Sequence, residues 1–265
     1  MKQINVGIIG FGTVGAGTFE VLTTNREIIT NRVGARVVVR KIADLDIETD
    51  RGIPEKPETG ILTTDAMDVI LDPEIHVVVE LVGGLEKARE FILKAMEHGK
   101  HVVTANKALL AEFGWELYQA AERCGVTLAF EASVGGGIPI IGALKTGLSG
   151  NRIQTCMGIL NGTSNYILTQ MARLNLPFEK AVEEAVNLGF AEDPPTLDVD
   201  GTDAAHKLAI MISIAFGSAI DFDLVFREGI VAITQDDIRF AREFGYRIKL
   251  LAIAKDLGDQ LEARV

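Results

Sequence analysis

The sequence predicts an α/β protein with a parallel sheet in its first half and an α+β arrangement in its second. Three observations carry that reading. Short β-branched runs alternate with longer helical patterns up to about residue 130, the signature of βαβ units. A glycine-rich turn sits between the first run and the first helical stretch. After Glu131 the texture changes to a glycine- and proline-bearing segment followed by several apolar helices. The expected organisation is a first domain over 1–130 and a second over 131–265.

In order, INVGIIG reads as a buried strand and Thr13 to about Ile29 as one helix. ARVVVRKIAD is the second strand, and the polar segment Leu45 to Gly60 reads as loop. HVVVELVGG from His76, HVVTANK from His101 and TLAFEA from Thr127 are three further strands, separated by helices near Glu86–His98 and Ala108–Cys124. Beyond the boundary, RIQTCMGIL reads as a strand, and NGTSNYILTQMARL and FEKAVEEAVNLGF as helices. The acidic loop AEDPPTLDVDG leads into the long apolar helix TDAAHKLAIMISIAFG. The tail YRIKLLAIAKDLGDQLEARV reads as a hairpin turning at Gly258.

Composition narrows the function classes. A formal charge of -11 argues against a nucleic-acid binder, which needs a basic face. The longest apolar run, around Leu208 to Ala219, is too short to span a bilayer. Cys124 and Cys156 stand far apart, with neither a zinc spacing nor a disulfide framework. With a start that enters a strand at once and shows no signal-peptide architecture, a cytoplasmic protein is expected.

G-F-G-T-V-G places Gly10, Gly12 and Gly15 at G-x-G-x-x-G spacing between a strand and a helix, the context that gives the motif its meaning. Gly10 permits the tight turn, Gly12 lets backbone approach a pyrophosphate, and Gly15 allows close helix–strand packing. The N–H groups of the helix start, at Thr13 and Val14, face the phosphates. This predicts a Rossmann domain that binds NAD or NADP. Asp44, ending the second strand, is the candidate for the ribose hydroxyls, although it lies further from the glycines than the usual ~20 residues. Leu45 follows it rather than an arginine, which leans towards NAD, while Arg40, Lys41 or Arg51 could still meet a 2′-phosphate.

Ligands of open α/β sheets sit beyond the carboxyl ends of strands. HVVTANK ends at such a place, so Lys107 is a candidate to reach cofactor or a substrate carbonyl. Glu192, Asp198, Asp203 and Lys207 form the stronger constellation. Asp203 and Lys207 share one helix face at i and i+4. Such a pair is usually a solvated surface contact, but this helix runs on as an apolar sequence and follows a cluster of carboxylates. A lysine held among acids can relay an alcohol proton, and the same acids suit a substrate ammonium. DVDG lacks the spacing of a calcium loop, both cysteines read as structural, and His206 points to another helix face than Lys207.

Together IIGFGTVG, ELVGG, VVTANKALLA, FEASVGGGIPII, ILNGTSNYIL, GFAEDPPTLDVDGTDAAHK and KLLAIAKD resemble the homoserine dehydrogenase family along the whole chain. The acidic block with D-x-x-x-K is the most specific of them. The resemblance implies NAD(P)-dependent interconversion of L-homoserine and L-aspartate 4-semialdehyde, in threonine, methionine and isoleucine biosynthesis. It implies Lys207 as acid/base, Asp203 as its orienting partner and Lys107 at the cofactor and substrate carbonyl. Glu192 and Asp198 would bind the ammonium end, with Gly162 and Thr163 contributing. It further implies a monovalent cation, usually sodium, on Glu131 and the carbonyls of Val134, Gly136 and Ile138, and a homodimer formed through the substrate-domain sheet. Members of the family extend past the length seen here, so a truncated second domain is expected. Another nicotinamide oxidoreductase of the aspartate pathway and a non-catalytic NAD(P) sensor are the rival readings; neither needs Lys207 on a D-x-x-x-K helix.

Overall fold

The computed structural model describes residues 2–58 and 60–265, which separate into two compact units, one ending at Ser133 and one spanning Val134–Val265.

The first unit is built in chain order from β1 (Gln3–Ile9), α1 (Thr13–Thr24), α2 (Arg26–Val33), β2 (Arg36–Ala43), β3 (Leu62–Thr63), α3 (Ala66–Ile70), β4 (Val77–Glu80), α4 (Glu86–Glu97), β5 (His101–Thr104), α5 (Lys107–Cys124) and β6 (Leu128–Ala129). The strands pair in parallel in the order β3-β2-β1-β4-β5-β6. Strand order reverses between β1 and β4, the topological switch point where a crevice opens beyond the carboxyl ends. Helices cover the sheet, so its strands carry apolar residues almost without alternation: Ile8, Ile42, Val78 and Val102 are all buried. Phe11, Ala16 and Phe19 close one face of the sheet over Val6, Ile8 and Ile42.

Where one helix is expected from Thr13 to Ile29, the chain makes two. Asn25 leaves helical geometry (φ -97°, ψ 16°) and serves as the end of α1 and the start of α2. The segment Leu45–Gly60 carries no helix or strand among its described residues. The short β3 and α3 that follow escape a periodicity reading because neither is long enough to show one.

The second unit contains α6 (Ile140–Gly142), running into a π turn over Ala143–Gly147, then β7 (Thr155–Gly158), α7 (Gly162–Leu174), α8 (Phe178–Asn187), α9 (Thr196–Val199), α10 (Thr202–Ala215), α11 (Gln235–Glu243), β8 (Ala252–Asp256) and β9 (Leu261–Arg264). β7, β8 and β9 form an antiparallel sheet in that order, with Cys156 opposite Ala254 and Ala254 opposite Ala263. The tail is a hairpin turning at Gly258, whose φ of +92° suits glycine. Its first strand starts at Ala252, later than the apolar run implies. α7 and α8 bury Ile167, Leu168, Met171, Ala181 and Ala185 against Ala204 of α10. The acidic loop contains one short helix, α9, and α11 lies in a stretch the periodicity left unassigned. No helix among the described residues is long and apolar enough to cross a membrane.

Candidate active site

The glycine turn lies between β1 and α1. Gly10 has φ +100°, and a Cβ there would lie 2.6 Å from the backbone of Leu81. A Cβ on Gly15 would lie 2.0 Å from the Gly10 carbonyl oxygen. Both glycines are therefore demanded by the fold itself. Gly12 differs: its φ of -70° suits any residue, and a Cβ there would meet nothing within 4 Å. A close approach from outside the chain is what a glycine at 12 accommodates. Gly12 is also the N-cap of α1, has no capping side chain, and precedes a first turn without an acid. The amides of Thr13, Val14 and Gly15 begin the helix without intrahelical acceptors, and Val14 is exposed. This is an anion-receptive helix start bordered by open space, which fits a dinucleotide pyrophosphate.

Asp44 follows β2 directly, beside this turn. Its Oδ2 accepts the Phe11 N–H and its Oδ1 accepts the Asp46 N–H at 2.8 Å. The carboxylate thus holds the glycine turn from the neighbouring strand, a function its position at the strand end did not reveal. Arg51 reaches back over it, with Nη2 3.8 Å from Asp44 Oδ1 and 3.3 Å from Asp46 Oδ2. Its Nε is buried without a hydrogen-bond partner among the described residues. Lys107 is the first residue of α5, one position earlier than the helical pattern implies. The preceding Asn106 caps that helix by accepting the Leu109 N–H at 3.1 Å.

In the second unit, Lys207 Nζ donates to Asp203 Oδ2 at 2.6 Å and to the Leu160 carbonyl at 2.8 Å. Side-chain exposures of 18% for Lys207 and 6% for Asp203 separate this pair from a solvated surface contact. Asn161, which the spacing did not single out, joins the acids: its Nδ2 donates to Asp198 Oδ1 at 2.6 Å and to Asp203 Oδ2 at 2.8 Å. Its Oδ1 accepts the Ser164 N–H at 2.7 Å and so caps α7. Ser164 Oγ donates in turn to the Asp198 carbonyl at 2.6 Å. One buried amide therefore fixes the start of α7, the acidic loop and the α10 acid together. N-x-x-S ahead of a helical run was the available signal, as an N-cap pattern.

Two of the neighbouring candidates stand apart from this network. Thr163 Oγ1 donates to the Phe190 carbonyl at 2.6 Å, and Glu192 is exposed on the loop with no hydrogen bond to a described residue. Gly162 opens α7 with free space where a Cβ would stand. His206, on the buried side of α10, stacks on Phe222 with ring centroids 4.5 Å apart. Burial pushes the Cys156 thiol above its ordinary pKa, which disfavours the thiolate a nucleophile needs.

Glu131 opens a 3-10 turn that ends the first unit. The second unit begins with Val134, fully buried, and a loop in which Gly135 and Gly137 take φ of +63° and +82°. Ile138 donates its N–H to the Gly135 carbonyl at 2.7 Å, and its own carbonyl accepts the Ile140 N–H at 2.8 Å. Among the described residues, no three His, Cys, Asp or Glu side chains cluster as a metal site.

Comparison with known proteins matches both units of the chain. The profile described as homoserine dehydrogenase, NAD binding domain, matches residues 10–131, and that described as homoserine dehydrogenase matches 139–265. The homoserine dehydrogenase of Pseudomonas aeruginosa is 49% identical over an alignment covering 100% of this chain and 60% of that protein. The crystal structure of a homoserine dehydrogenase from Thiobacillus denitrificans, also 49% identical, superposes with a TM-score of 0.94 over 100% of this chain and 61% of its own. A hyperthermophilic archaeal homoserine dehydrogenase solved in complex with NADPH superposes with a TM-score of 0.78 at 25% identity, covering 98% of this chain and 81% of its own. The chain spans about 60% of the length of the curated relatives it matches. Since each unit is matched by that family's own profile and near half-identity extends along the full sequence, the chain belongs to the homoserine dehydrogenase family.

Proposed function

We propose that the protein oxidises L-homoserine to L-aspartate 4-semialdehyde and catalyses the reverse reduction with NAD(P), with Lys207 as the proton donor and acceptor. The observation that carries this reading is the Lys207 ammonium, held by Asp203 and the Leu160 carbonyl on a largely buried helix. The nicotinamide, when bound, supplies the hydride donor or acceptor. In the reducing direction Lys207 Nζ delivers a proton to the aldehyde oxygen, and in the oxidising direction its neutral amine takes the hydroxyl proton. Asp203 fixes the direction of the Nζ–H bonds, and Asn161 keeps Asp203 from turning away. General acid–base help of this kind contributes typically about 10²–10⁴-fold.

We assign Asp198 and Glu192 to the substrate ammonium, with Gly162 and Thr163 beside them at the start of α7. The turn at Gly10, Gly12, Thr13, Val14 and Gly15 would receive the pyrophosphate. Asp44 would face the adenosine ribose, and Lys107 the nicotinamide end and the substrate carbonyl. Asp44 with Arg51 above it is compatible with either dinucleotide, and the NADPH-bound archaeal relative supports the phosphorylated one. The oxygen donors of Glu131, Val134, Gly136 and Ile138 would suit a hard monovalent cation such as sodium; left-handed Gly135 and Gly137 alternate with those carbonyls. We place the protein in the cytoplasm as a homodimer, in keeping with its two free cysteines and with the sheet of the second unit.

The test is reduction of NAD⁺ or NADP⁺ with L-homoserine, set against 1-butanol, which lacks the amino acid head. Turnover with homoserine alone supports the reading. Dinucleotide binding without turnover on any amino alcohol would assign the protein to sensing instead.

A further inference from the structure

Glu80 ends β4 at the switch-point edge of the first unit, and its side chain is completely buried. A buried carboxylate is costly unless donors surround it. Here Oε1 accepts the Val82 N–H at 2.9 Å and Oε2 accepts the Thr104 hydroxyl at 2.7 Å. Burial raises its pKa, against which these two hydrogen bonds and the nearby Gly83 amide pull down.

The bonds continue past Glu80. Thr104 Oγ1 accepts the Asn106 N–H at 3.0 Å, and Asn106 Nδ2 donates to the Gly84 carbonyl at 2.6 Å. Glu80, Val82, Gly84, Asn106 and Thr104 thus form a closed circuit. It ties the loop leaving β4 to the loop leaving β5. The β4 loop lies directly against the glycine turn, since a Cβ on Gly10 would strike Leu81 and Val82. The β5 loop ends at Lys107, the first residue of α5.

We propose that Glu80, acting through Thr104, is a positioning residue that locks these two loops in register, so that the exposed Gly83–Gly84 edge and Lys107 are presented together to the dinucleotide. The dinucleotide part of this statement rests on the function proposed above; the lock itself does not. Every partner of Glu80 in the circuit is a donor. Glu80→Leu, similar in size, removes both acceptor oxygens and opens the circuit. Thr104→Val removes both the hydroxyl proton and the acceptor for Asn106, whereas Thr104→Ser keeps them.

Two measurements on wild type, Thr104→Val, Thr104→Ser and Glu80→Leu decide the matter: hydrogen exchange at the Val82 and Asn106 amides, and the dissociation constants of NADH and NADPH by fluorescence titration. Thr104→Val and Glu80→Leu are expected to speed exchange at these amides, leave the β2 amides protected and weaken dinucleotide binding about tenfold or more. Thr104→Ser should restore both. Unchanged exchange in Thr104→Val, a serine variant no better than valine, or loosened amides with full affinity would overturn the proposal. A wild-type protein that binds neither dinucleotide would refute the function reading instead, and the exchange data would still decide the lock.

Discussion

At the scale of single residues, glycines that look equivalent in the sequence divide into two kinds. Gly15 serves the fold, while Gly12 has room for a methyl group in an ordinary backbone conformation. Gly15→Ala should cost about 1–3 kcal/mol or more, because the clashing atom is backbone. Gly12→Ala should leave the denaturation midpoint unchanged while weakening dinucleotide binding. Urea melts paired with fluorescence titrations separate the two effects; a destabilised but fully binding Gly12→Ala would remove the pyrophosphate assignment. Asn161 invites a similar dissection. Asn161→Asp keeps the oxygen that caps α7 but replaces two N–H donors with an oxygen facing Asp198 and Asp203, and like charges in one site resist joint ionisation. Turnover should fall about tenfold or more with helix content retained, as read by steady-state kinetics and circular dichroism. The D-x-x-x-K pair was legible because its spacing is local. Asn161 was not, because its carboxylate partners lie 37 and 42 residues away.

At the scale of elements, what could be read depended on length and on local signals. β1, β2, β4 and β5 announce themselves as apolar β-branched runs, and α5 and α10 as long periodic ones. The break at Asn25 carries no proline or glycine. Thr23 there turns its hydroxyl back to the Phe19 carbonyl at 3.0 Å, which the periodicity cannot register. α11 did carry a signal, a capping box between Thr234 and Asp237, ahead of a helix with no buried residues. The turn between α3 and β4 is held electrostatically. Asp72, with a side chain 6% exposed, bonds Arg40 Nε at 3.0 Å and the Glu74 N–H at 2.9 Å, with Lys41 Nζ 3.5 Å away. Burial raises its pKa, but the Glu74 amide and Arg40 outweigh this and hold it below the ordinary 3.8. Asp72 is thus more acidic folded than unfolded, so its contribution is complete above the unfolded value and vanishes as pH falls through the folded one. Between about pH 6 and about pH 3, urea melts should show wild type losing more stability than Asp72→Asn. Equal losses would mean that this ion pair adds nothing.

At the scale of the whole molecule, the two-part organisation follows the change of texture after Glu131, and the order β3-β2-β1-β4-β5-β6 is built outward in both directions from the β1–β4 pair at the sheet's centre. The sequence could not show that Asp44 spends two of its acceptor sites on the chain itself, or that the loops after β4 and β5 are joined by a buried carboxylate; both depend on tertiary closure. The chemistry is divided in the same way as the fold. The first unit holds the anion-receptive turn, the second the buried lysine and its acids. The most direct test of this division is a comparison of wild type with Lys207→Ala for homoserine-dependent turnover and for dinucleotide affinity. A fall in kcat of about 10²–10⁴-fold with unchanged affinity for NADH and NADPH is the predicted result. Turnover that survives the substitution at the wild-type rate would contradict the assignment of Lys207 and, with it, the proposed mechanism.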